Sequence, residues 1–501
     1  MAVKKKGKYI AVVDIGKTNK KLLVYDTALN LLDSTIDRIP EYTANHINFE
    51  DVSKLTGWLK NSLATFNKKY PLDIISVTTH GATAFCLDSK GKLSTPPVAY
   101  TTETDDSFSS RFFSRTGSRE ELQQKTATAE IGSMVNVAKK IFFLQQTYPE
   151  RFKKTTNILY MPQYLGFLLT GNIGCEPTYA GCHTYLLDPY KKKLSFVADK
   201  LGIRKQLPAD FKNSWDILGH VSSAFAGATG LSTECRVTMG VHDSNSSLVP
   251  FLIKKHNFIL NSTGTWCVAM HPCSDISFSN DELGKPVFYN MNISFDPVKT
   301  VVFLGGMEFD TYTSILKQHC GMQDFPVWEQ DLYQQVLTEK KLFFLPSVLK
   351  GAGIFPESVS RVIENGKSYS LTDIKQGHYP PCFADYKLAY AALNISLAIQ
   401  TCIAFKMAGF DGEGQVFTEG GFRNNLPYNK LVSALLPQSP HFLSNLKQAT
   451  AFGAALLAKA ALENKTPFDL ADAFSLDLTA IEKPALSAIT AYQNRYLALL
   501  R

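Results

Sequence analysis

The chain has 501 residues, of which 45% are hydrophobic and 19% are charged, a balance typical of a globular protein. At roughly 100–200 residues per domain, this length predicts two to four domains around a large core. The formal net charge is +7, and the densest basic runs are only the lysines at 4–6 and 191–193, which excludes a nucleic-acid-binding tail.

Cysteine usage and hydrophobic runs indicate the compartment. The nine cysteines form no CxxC pair, so the sequence predicts reduced thiols rather than a zinc or disulfide site. The apolar run Tyr9–Val13 is shorter than the roughly 7–15 residues of a signal-peptide core, and no run reaches about 18 residues. We therefore expect a cytoplasmic enzyme or binding protein with no membrane and no nucleic-acid partner, for which a homodimer remains open.

Strands and helices alternate along the first half of the chain. A hairpin is predicted first, with strands Lys8–Val13 and Lys21–Tyr25 on either side of a polar turn. The other predicted elements are a helix at Val52–Phe66, a strand at Ile74–Thr78, a largely helical stretch over 119–169 and a strand at Cys235–Val241. This alternation favours an α/β layer architecture.

The pattern restarts in the second half. Strands at Phe258–Leu260 and Trp266–Met270 enclose a tight turn at Asn261–Gly264, about half a chain after the first turn. Two similar turns at this separation predict a duplicated domain, divided here into domains 1–246 and 247–501. The later predicted elements are a helix at Phe383–Gly409, a strand at Gln415–Thr418, a glycine turn and a small-residue helix at Lys447–Leu462.

Anion-binding groups are concentrated in the first turn. Gly16 permits a positive φ and leaves backbone N–H groups open to an anion. The other polar groups of the turn are the donors Thr18 and Asn19, the cations Lys17, Lys20 and Lys21, and Asp14, whose carboxylate suits a hydrated Mg²⁺. The end of a P-loop looks similar, but Ala11 stands where its first glycine is needed. An ordinary hairpin turn with a capping aspartate is the alternative.

Three later segments also carry chemistry. The turn Ser262-Thr263-Gly264-Thr265 places hydroxyls around one glycine, and two such turns across a cleft can clamp a nucleotide triphosphate. Asp243 follows an apolar strand, where a carboxylate can accept a proton from a substrate hydroxyl; a helix N-cap is the alternative. Gly420 and Gly421, with Asn425 after them, let a flat ring approach the backbone, and a plain turn is the alternative.

The order of these motifs resembles that of the FGGY carbohydrate kinases over about residues 9–463. The resemblance implies two actin-like, ribonuclease H-like α/β domains, with an interdomain cleft that binds ATP and Mg²⁺ and phosphorylates a sugar or polyol hydroxyl. It implies that Asp243 is the catalytic base, and Asp14 is the predicted metal ligand. The nucleotide contacts predicted from the turns and the resemblance together are Asp14, Gly16, Lys17, Thr18, Asn19, Lys21, Ser262, Thr263, Gly264, Thr265, Gly420, Gly421 and Asn425.

The sugar side of the resemblance has its own features. The pair His242-Asp243 is similar to the rhamnulokinases and fuculokinases, which implies a deoxy-ketohexose such as L-rhamnulose or L-fuculose. Two features depart from the family: Lys17 stands where small residues are usual, and segment 99–108 lacks the usual sugar-facing pattern. The predicted sugar contacts are His80, Gly81, Ala82, Tyr100, Glu103, His242 and Asp243.

Other function classes share parts of this pattern. A kinase for another sugar or polyol, such as xylulose, ribulose or glycerol, and a non-kinase actin-like ATPase would have the same fold. A sugar-sensing regulator needs an N-terminal DNA-binding helix pair, for which a strand beginning at Lys8 leaves no room. An inactive relative that only binds sugar is disfavoured, because the candidate base and both phosphate turns are present.

Overall fold

The structure, a computed structural model, describes residues 8–132, 134–349 and 351–500 and contains two seven-stranded mixed sheets. The strands of the first half are β1 (Tyr9–Ile15), β2 (Lys20–Asp26), β3 (Leu31–Asp37), β4 (Tyr42–Ala44), β5 (Ile47–Phe49), β6 (Leu72–Thr79), β7 (Ala84–Leu87), β8 (Asn157–Tyr160), β9 (Leu187–Asp188), β10 (Lys193–Leu194), β11 (Ile217–His220), β12 (Arg236–Thr238) and β13 (Val241–His242). The strands of the second half are β14 (Phe258–Thr263), β15 (Cys267–Pro272), β16 (Val287–Met291), β17 (Pro297–Phe303), β18 (Leu342–Leu345), β19 (Arg361–Glu364), β20 (Lys367–Ser370), β21 (Gln415–Gly420), β22 (His441–Ser444) and β23 (Leu478–Ala480).

Helices cover both sheets. They are α1 (Val52–Lys69), α2 (Phe108–Thr116), α3 (Arg119–Thr126), α4 (Val137–Thr147), α5 (Pro149–Phe152), α6 (Met161–Thr170), α7 (Pro177–Ala180), α8 (Phe196–Lys200), α9 (Ser223–Thr229), α10 (Asp243–Lys254), α11 (Gly305–His319), α12 (Gln330–Glu339), α13 (Leu371–Lys375), α14 (Tyr386–Met407), α15 (Leu426–Leu435), α16 (Ala449–Glu463) and α17 (Ile489–Ala498).

The first sheet has the strand order β11-β12-β6-β1-β2-β3, and β13 also pairs with β6. Strand β1 is antiparallel to β2 and parallel to β6, which confirms the predicted N-terminal hairpin. Asp14 of β1 and Val241 of β13 both lie opposite Thr78 of β6, and His242 lies opposite Thr79. Because neighbouring parallel strands end at the same edge of a sheet, the residues that follow β1, β6 and β13 meet there.

The second sheet repeats this arrangement, with the order β16-β17-β15-β14-β21-β22-β23. Strand β14 is antiparallel to β15 and parallel to β21, as β1 is to β2 and β6. The predicted turn at Asn261–Gly264 lies further along the chain, because β14 continues to Thr263 and the turn is at 264–266. Asn261 lies inside the strand, opposite Ala269 and Thr418, and its buried amide donates to the hydroxyl of Tyr428 at 2.8 Å.

The stretch 119–169, predicted to be largely helical, contains one strand as well. Four helices, α3 to α6, lie in it, but β8 interrupts them and pairs antiparallel with β7. The side chains of Ile158, Leu159 and Tyr160 are buried in this short ribbon. An apolar run of this length does not distinguish a buried strand from a helix, which explains the difference.

Helix α14 lies in the core of the second half, close to its predicted bounds. It begins after Asp385, whose carboxylate accepts hydrogen bonds from the backbone N–H groups of Lys387 and Leu388. It is the one described helix that is long and apolar enough to cross a membrane, with a mean hydropathy of 1.6. Core helices reach the same hydropathy, and 89% of the apolar 18-residue window of α14 is buried inside the protein. These values match a core helix.

Helix α16 belongs to the second half by sequence but packs on the first sheet. Its alanines and leucines share one apolar cluster with Ile10 of β1 and Ile74 of β6. It also touches α10 backbone to backbone: a Cβ atom on Gly453 would lie 1.8 Å from the carbonyl oxygen of Ser246. The hydroxyl of Ser246 donates to the carbonyl of Thr450 at 2.7 Å, which fixes the crossing.

The crossing of α10 and α16 can be tested by adding one methyl group. We expect Gly453→Ala to lower the free energy of unfolding by about 3 kcal/mol, because the methyl group overlaps the Ser246 carbonyl. Gly57→Ala in α1 is the matched control, since nothing lies within 4 Å of a Cβ atom there and alanine is favoured in helices by about 1 kcal/mol. Urea unfolding followed by circular dichroism measures both, and equal effects would contradict the close crossing.

Candidate active site

Asp14 lies at the carboxyl end of β1 with 5% of its surface exposed. Its Oδ2 is 3.5 Å from Nζ of Lys21, which also donates to Oε1 of Gln448 on the far side of the cleft at 2.8 Å. Burial raises the pKa of Asp14 to about 6; Lys21 lowers it, and the charge of Asp243 raises it further. A buried carboxyl with this little compensation favours the approach of a cation.

The first turn is closed by its own groups. The expectation that Gly16 has a positive φ and an open N–H is wrong: its φ is not positive, and its N–H donates to the carbonyl of Asn19 at 3.0 Å. The buried ammonium of Lys20 donates to the carbonyl of Gly16 at 3.0 Å and to that of Lys17 at 2.8 Å. Lys20 therefore holds the shape of the turn from inside, and Thr18 at the tip is exposed.

Asp243 begins α10 at the edge where β13 ends. Helix α10 has His242 as its N-cap residue, so the alternative N-cap role of Asp243 is not the arrangement observed. Oδ1 of Asp243 accepts a hydrogen bond from the N–H of Ser244 at 2.6 Å and lies 3.5 Å from Nε2 of His242. Burial raises the pKa of Asp243, while His80 and Ser244 lower it. Its side chain is 30% exposed, so a ligand can reach it.

Three imidazoles surround Gly81. A Cβ atom there would lie 2.8 Å from Nε2 of His242 and 3.5 Å from Cδ2 of His183. Nδ1 of His80 lies 2.9 Å from the carbonyl oxygen of Gly81, which can only accept, so Nδ1 carries the proton. Nε2 of His80 is then a buried acceptor with no partner among the described residues. Burial lowers the pKa of His80 to about 4 and the pKa values of His183 and His242 to about 3, so this imidazole wall is neutral at pH 7.

The other predicted sugar contacts do not all lie together. Ala82 is buried and has a φ of 59°, in the left-handed region, which redirects the chain directly after Gly81. The ring of Tyr100 meets His80 edge-on, with ring centroids 5.8 Å apart. Glu103 is exposed, and within the described ranges no hydrogen bond or ion pair joins it to the rest of the site.

The second turn follows β14, whose last residue, Thr263, lies opposite Gly420 of β21. The hydroxyl of Thr263 donates to the carbonyl of Glu419 and accepts from the N–H of Phe422 at 2.9 Å, so it joins the two strand ends. A Cβ atom on Gly420, which has a φ of 81°, would lie 1.9 Å from the carbonyl oxygen of Thr263. The exposed or half-buried groups of the turn are Ser262, Gly264 and Thr265.

Gly420 and Gly421 stand between two cavities. A polar cavity of about 450 Å³ lies where the two halves meet and is lined by Asp14, Lys21, Ser262, Glu419, Gly420, Arg423 and residues 446–450. A smaller cavity of about 250 Å³ is lined mainly by apolar and aromatic side chains, among them Phe309, Phe325, Trp328, Tyr390 and Phe422, together with Gly421 and Asn425. An apolar slot next to a polar pocket suits a ligand with a flat ring and a charged tail.

Asn425, one of the predicted nucleotide contacts, is held within the protein. Its Oδ1 accepts a hydrogen bond from the N–H of Tyr428 at 3.2 Å and so caps α15. Its Nδ2 donates to Oδ1 of Asn394 at 2.7 Å. These bonds make Asn425 part of the rigid wall of the smaller cavity.

Glu419 lies in the larger cavity, although sequence reasoning did not include it among the site residues. Its Oε2 is buried and has no hydrogen-bond partner among the described residues. Burial raises the pKa of Glu419 to about 7, against the hydrogen bonds from Ser262 and Ser247, which lower it. Glu419 could have been identified from its position at the end of β21, the parallel neighbour of β14, because ligands bind at the carboxyl ends of parallel strands.

The donor set around the larger cavity fits a hydrated divalent cation. Mg²⁺ keeps several waters and takes one or two carboxylates together with phosphate oxygens. Asp14 and Glu419 supply two such carboxylates, each with a raised pKa. Among the described residues, no group of three or more His, Cys, Asp or Glu side chains that could hold a metal ion is found.

Comparison with known families matches both halves of the chain. A family model described as the N-terminal domain of the FGGY family of carbohydrate kinases matches residues 9–250. A second model, described as the C-terminal domain of carbohydrate kinase FGGY, matches residues 255–466.

Curated relatives match shorter parts of the chain. A rhamnulokinase of Enterococcus faecalis is 29% identical over 192 residues, which are 38% of this chain and 38% of that protein. A rhamnulokinase of Halalkalibacterium halodurans is 25% identical over 266 residues, 52% of this chain and 55% of that protein. The chain therefore aligns with between 38% and 55% of the length of these two relatives.

Solved structures match the whole fold. A carbohydrate kinase from Novosphingobium aromaticivorans has a TM-score of 0.81 at 23% identity, covering 99% of this chain and 98% of that chain. A glycerol kinase from Plasmodium falciparum, solved with ADP, has a TM-score of 0.77 at 16% identity and covers the same shares of both chains. These likenesses confirm the predicted α/β fold with two actin-like domains.

The raised pKa of Asp14 predicts how stability depends on pH. Because the folded state holds this proton with a pKa of about 6 against 3.8 in the unfolded chain, ionising Asp14 destabilises the unliganded protein as pH rises through 6. We expect Asp14→Asn to be more stable than wild type by about 3 kcal/mol at pH 7.5, and the difference to vanish near pH 4. Urea titrations from pH 4 to 8 measure it. The control for the substitution itself is Asp472→Asn, at an exposed carboxyl. A stability difference between Asp14→Asn and wild type that does not change with pH would contradict the prediction.

Proposed function

The chain belongs to the FGGY family of carbohydrate kinases, and on that premise we propose that it transfers the γ-phosphoryl group of ATP to a hydroxyl group of a ketose. The observation that carries this proposal is the position of Asp243. Its carboxylate lies 3.5 Å from the imidazole of His242 on one side. On the other side it follows β13, whose Val241 lies opposite the same residue of β6, Thr78, as Asp14 does. Asp243 therefore stands where a wall suited to a sugar meets a cavity suited to phosphates.

The nucleotide is proposed to lie along the second half of the protein. Its adenine occupies the apolar cavity of about 250 Å³ and its phosphates the polar cavity of about 450 Å³, with Gly420 and Gly421 between them. Asp14 and Lys21 from the first half and Ser262 from the second line the polar cavity. The exposed hydroxyl groups of Thr18 and Thr265 are proposed to reach the phosphates from the two turns. Lys21 lines the polar cavity and adds positive charge to it.

Mg²⁺ is proposed to bind with the nucleotide, since the unpartnered Oε2 of Glu419 and the carboxyl of Asp14 fit a hydrated cation. When bound, the ion neutralises charge on the phosphates. The chain's own contribution is to orient it by one or two carboxylates and leave its remaining positions to phosphate oxygens and water.

Asp243 is proposed to be the general base. It accepts the proton of the acceptor hydroxyl as that oxygen bonds to the γ-phosphorus and the bond to ADP breaks. The raised pKa of Asp243 favours holding this proton, and the hydrogen bond from the N–H of Ser244 fixes the carboxylate. Closure of the cleft excludes water from the transferring group, which protects ATP from hydrolysis.

The acceptor is proposed to be a deoxy-ketohexose such as L-rhamnulose or L-fuculose. The pair His242-Asp243 and the similarity to proteins named rhamnulokinase support this choice. The neutral wall of His80, His183 and His242 also suits an uncharged sugar, whose hydroxyls donate and accept hydrogen bonds.

The domain division, the partners and the location are further proposals. Residues 1–246 are proposed to be the sugar-binding domain and residues 247–501 the nucleotide-binding domain. The two proposed partners are a small-molecule sugar and ATP. We propose a cytoplasmic location, and a homodimer remains open.

A panel of acceptors tests the function. We expect ATP-dependent phosphorylation of L-rhamnulose or L-fuculose with a kcat/KM at least about 10-fold above that for L-ribulose, D-xylulose or glycerol. ADP release coupled to a spectroscopic readout measures all five, with a reaction lacking sugar as the control. Equal ADP release with and without sugar would contradict the kinase and favour an actin-like ATPase, and a preference for glycerol would contradict the proposed acceptor.

Removing the charge of Asp243 tests its role. Asp243→Asn is expected to lower kcat by about 10²–10⁴, because the amide cannot accept the hydroxyl proton. The KM for ATP should change little, since the proposed nucleotide cavities do not include this side chain. Asp472→Asn, at an exposed carboxyl, is the control for the substitution itself. Turnover within a factor of three of wild type would exclude Asp243 as the base.

A further inference from the structure

The three lysines of the N-terminal hairpin take three different directions. Lys21 reaches Asp14 and the polar cavity, where its ammonium donates to Gln448 at 2.8 Å. Lys20 turns inward to the carbonyls of its own turn. Lys17, which the sequence grouped with the phosphate-binding residues, lies elsewhere, and it does not line the polar cavity of about 450 Å³.

The ammonium of Lys17 is enclosed by two carboxylates and an aromatic ring. Its Nζ lies 2.9 Å from Oε1 of Glu50 and also pairs with Glu41. It stands 4.4 Å above the centroid of the Tyr100 ring, within cation–π distance. Because both carboxylates are largely buried, at 7% and 18% side-chain exposure, this is an internal ion cluster rather than a free phosphate ligand.

The ion cluster of Lys17, Glu41 and Glu50 also fixes the segment that carries Tyr100. The hydroxyl of Thr101 donates to Glu41. The carbonyl of Thr101 accepts from Nδ2 of Asn48 at 3.1 Å, next to the β5 strand. Tyr100 is therefore held by the ammonium over its ring and by the hydrogen bonds of its neighbour Thr101.

Tyr100 in turn packs against the imidazole that has the open acceptor. Its ring meets His80 edge-on at 5.8 Å between centroids. His80 presents a buried Nε2 with no partner in the described part of the chain, and its proton lies on Nδ1. A hydroxyl donor from a ligand would satisfy this nitrogen, and the position of Tyr100 limits the directions from which such a donor can come.

From these contacts we propose that Lys17 is a positioning residue for the acceptor sugar: with Glu41 and Glu50 it holds Tyr100 against His80 and so shapes the pocket wall that selects the sugar. This inference rests on the proposed kinase function. It assigns two lysines of one hairpin to two different substrates: Lys21 to the phosphates of the nucleotide and Lys17 to the acceptor sugar.

The experiment compares Lys17→Met with Lys21→Met, which remove the same charge from the same hairpin. The readouts are the KM for the sugar that wild type phosphorylates fastest in the acceptor panel and the dissociation constant of AMP-PNP with Mg²⁺, measured by calorimetry without sugar. We expect Lys17→Met to raise the sugar KM at least about 10-fold and to leave the AMP-PNP constant within about twofold. Lys21→Met should weaken AMP-PNP binding at least about 10-fold and alter the sugar KM much less.

Removal of one charge from a buried cluster also destabilises the fold, so two further variants separate folding from positioning. The double variant Lys17→Met/Glu50→Gln removes opposite charges together and should keep the raised sugar KM with restored thermal stability. Lys17→Arg retains the cation and should recover most of the sugar KM. Restored stability together with a wild-type sugar KM in the double variant would overturn the positioning role.

The outcomes distinguish this inference from the proposed function. If wild type turns over the panel sugars and Lys17→Met weakens AMP-PNP as much as Lys21→Met does, Lys17 belongs to the phosphate site and the inference fails alone. If wild type phosphorylates no sugar in the panel, the proposed acceptor fails, and the role of Lys17 toward that acceptor fails with it.

Discussion

The parallel pairing of β6 with β1 on one side and β13 on the other is the constraint on which the site depends. The register places Asp14 and Val241 opposite the same residue, Thr78, so that the chain leaves three strands at one level. Asp14, His80 and the adjacent pair His242-Asp243 then lie at one edge of the sheet, although they come from three segments far apart in the sequence. A shift of one residue in this pairing would turn every side chain of the shifted strand to the other face of the sheet and disperse the site.

Two buried carboxyl groups in the cleft lie in an electrostatically unfavourable environment that a bound ligand can relieve. Asp14 and Glu419 carry raised pKa values, and Oε2 of Glu419 has no partner in the described residues. Burying carboxyl groups that are poorly compensated lowers the stability of the fold. Such destabilised groups are concentrated at sites that bind charged ligands. The imidazole wall behaves differently, since its rings are neutral and each has one buried nitrogen without a hydrogen-bond partner among the described residues. The larger cavity is thus lined by charged groups and the imidazole wall by neutral ones, and Asp243 lies 3.5 Å from the wall at His242.

The sequence predicted the fold through features that act locally. The hairpin of β1 and β2 and the helix α14 were predictable because the spacing of apolar residues over a short stretch of sequence indicates a strand or a helix. Residues that contribute through tertiary contacts were not visible. Glu50 lies 33 positions from Lys17, and nothing in its local pattern indicates an ion pair. The strand β8 was hidden for the same reason, because its antiparallel partner β7 is distant in the chain. Motif order identified the turns, but it could not show that Lys17 turns away from the polar cavity that Lys21 lines.

Helix α16 has a consequence for how the molecule can be divided. It covers one face of a sheet built from the opposite end of the chain. Gly453 packs against the backbone of Ser246, and the helix makes apolar contacts with Ile10 and Ile74. A fragment that stopped before the second half would leave one face of its sheet bare to water, and such a surface favours aggregation. The two halves are therefore separate as sheets but not as folding units. Synthesis must reach residue 463 before the strand made first, β1, is fully covered.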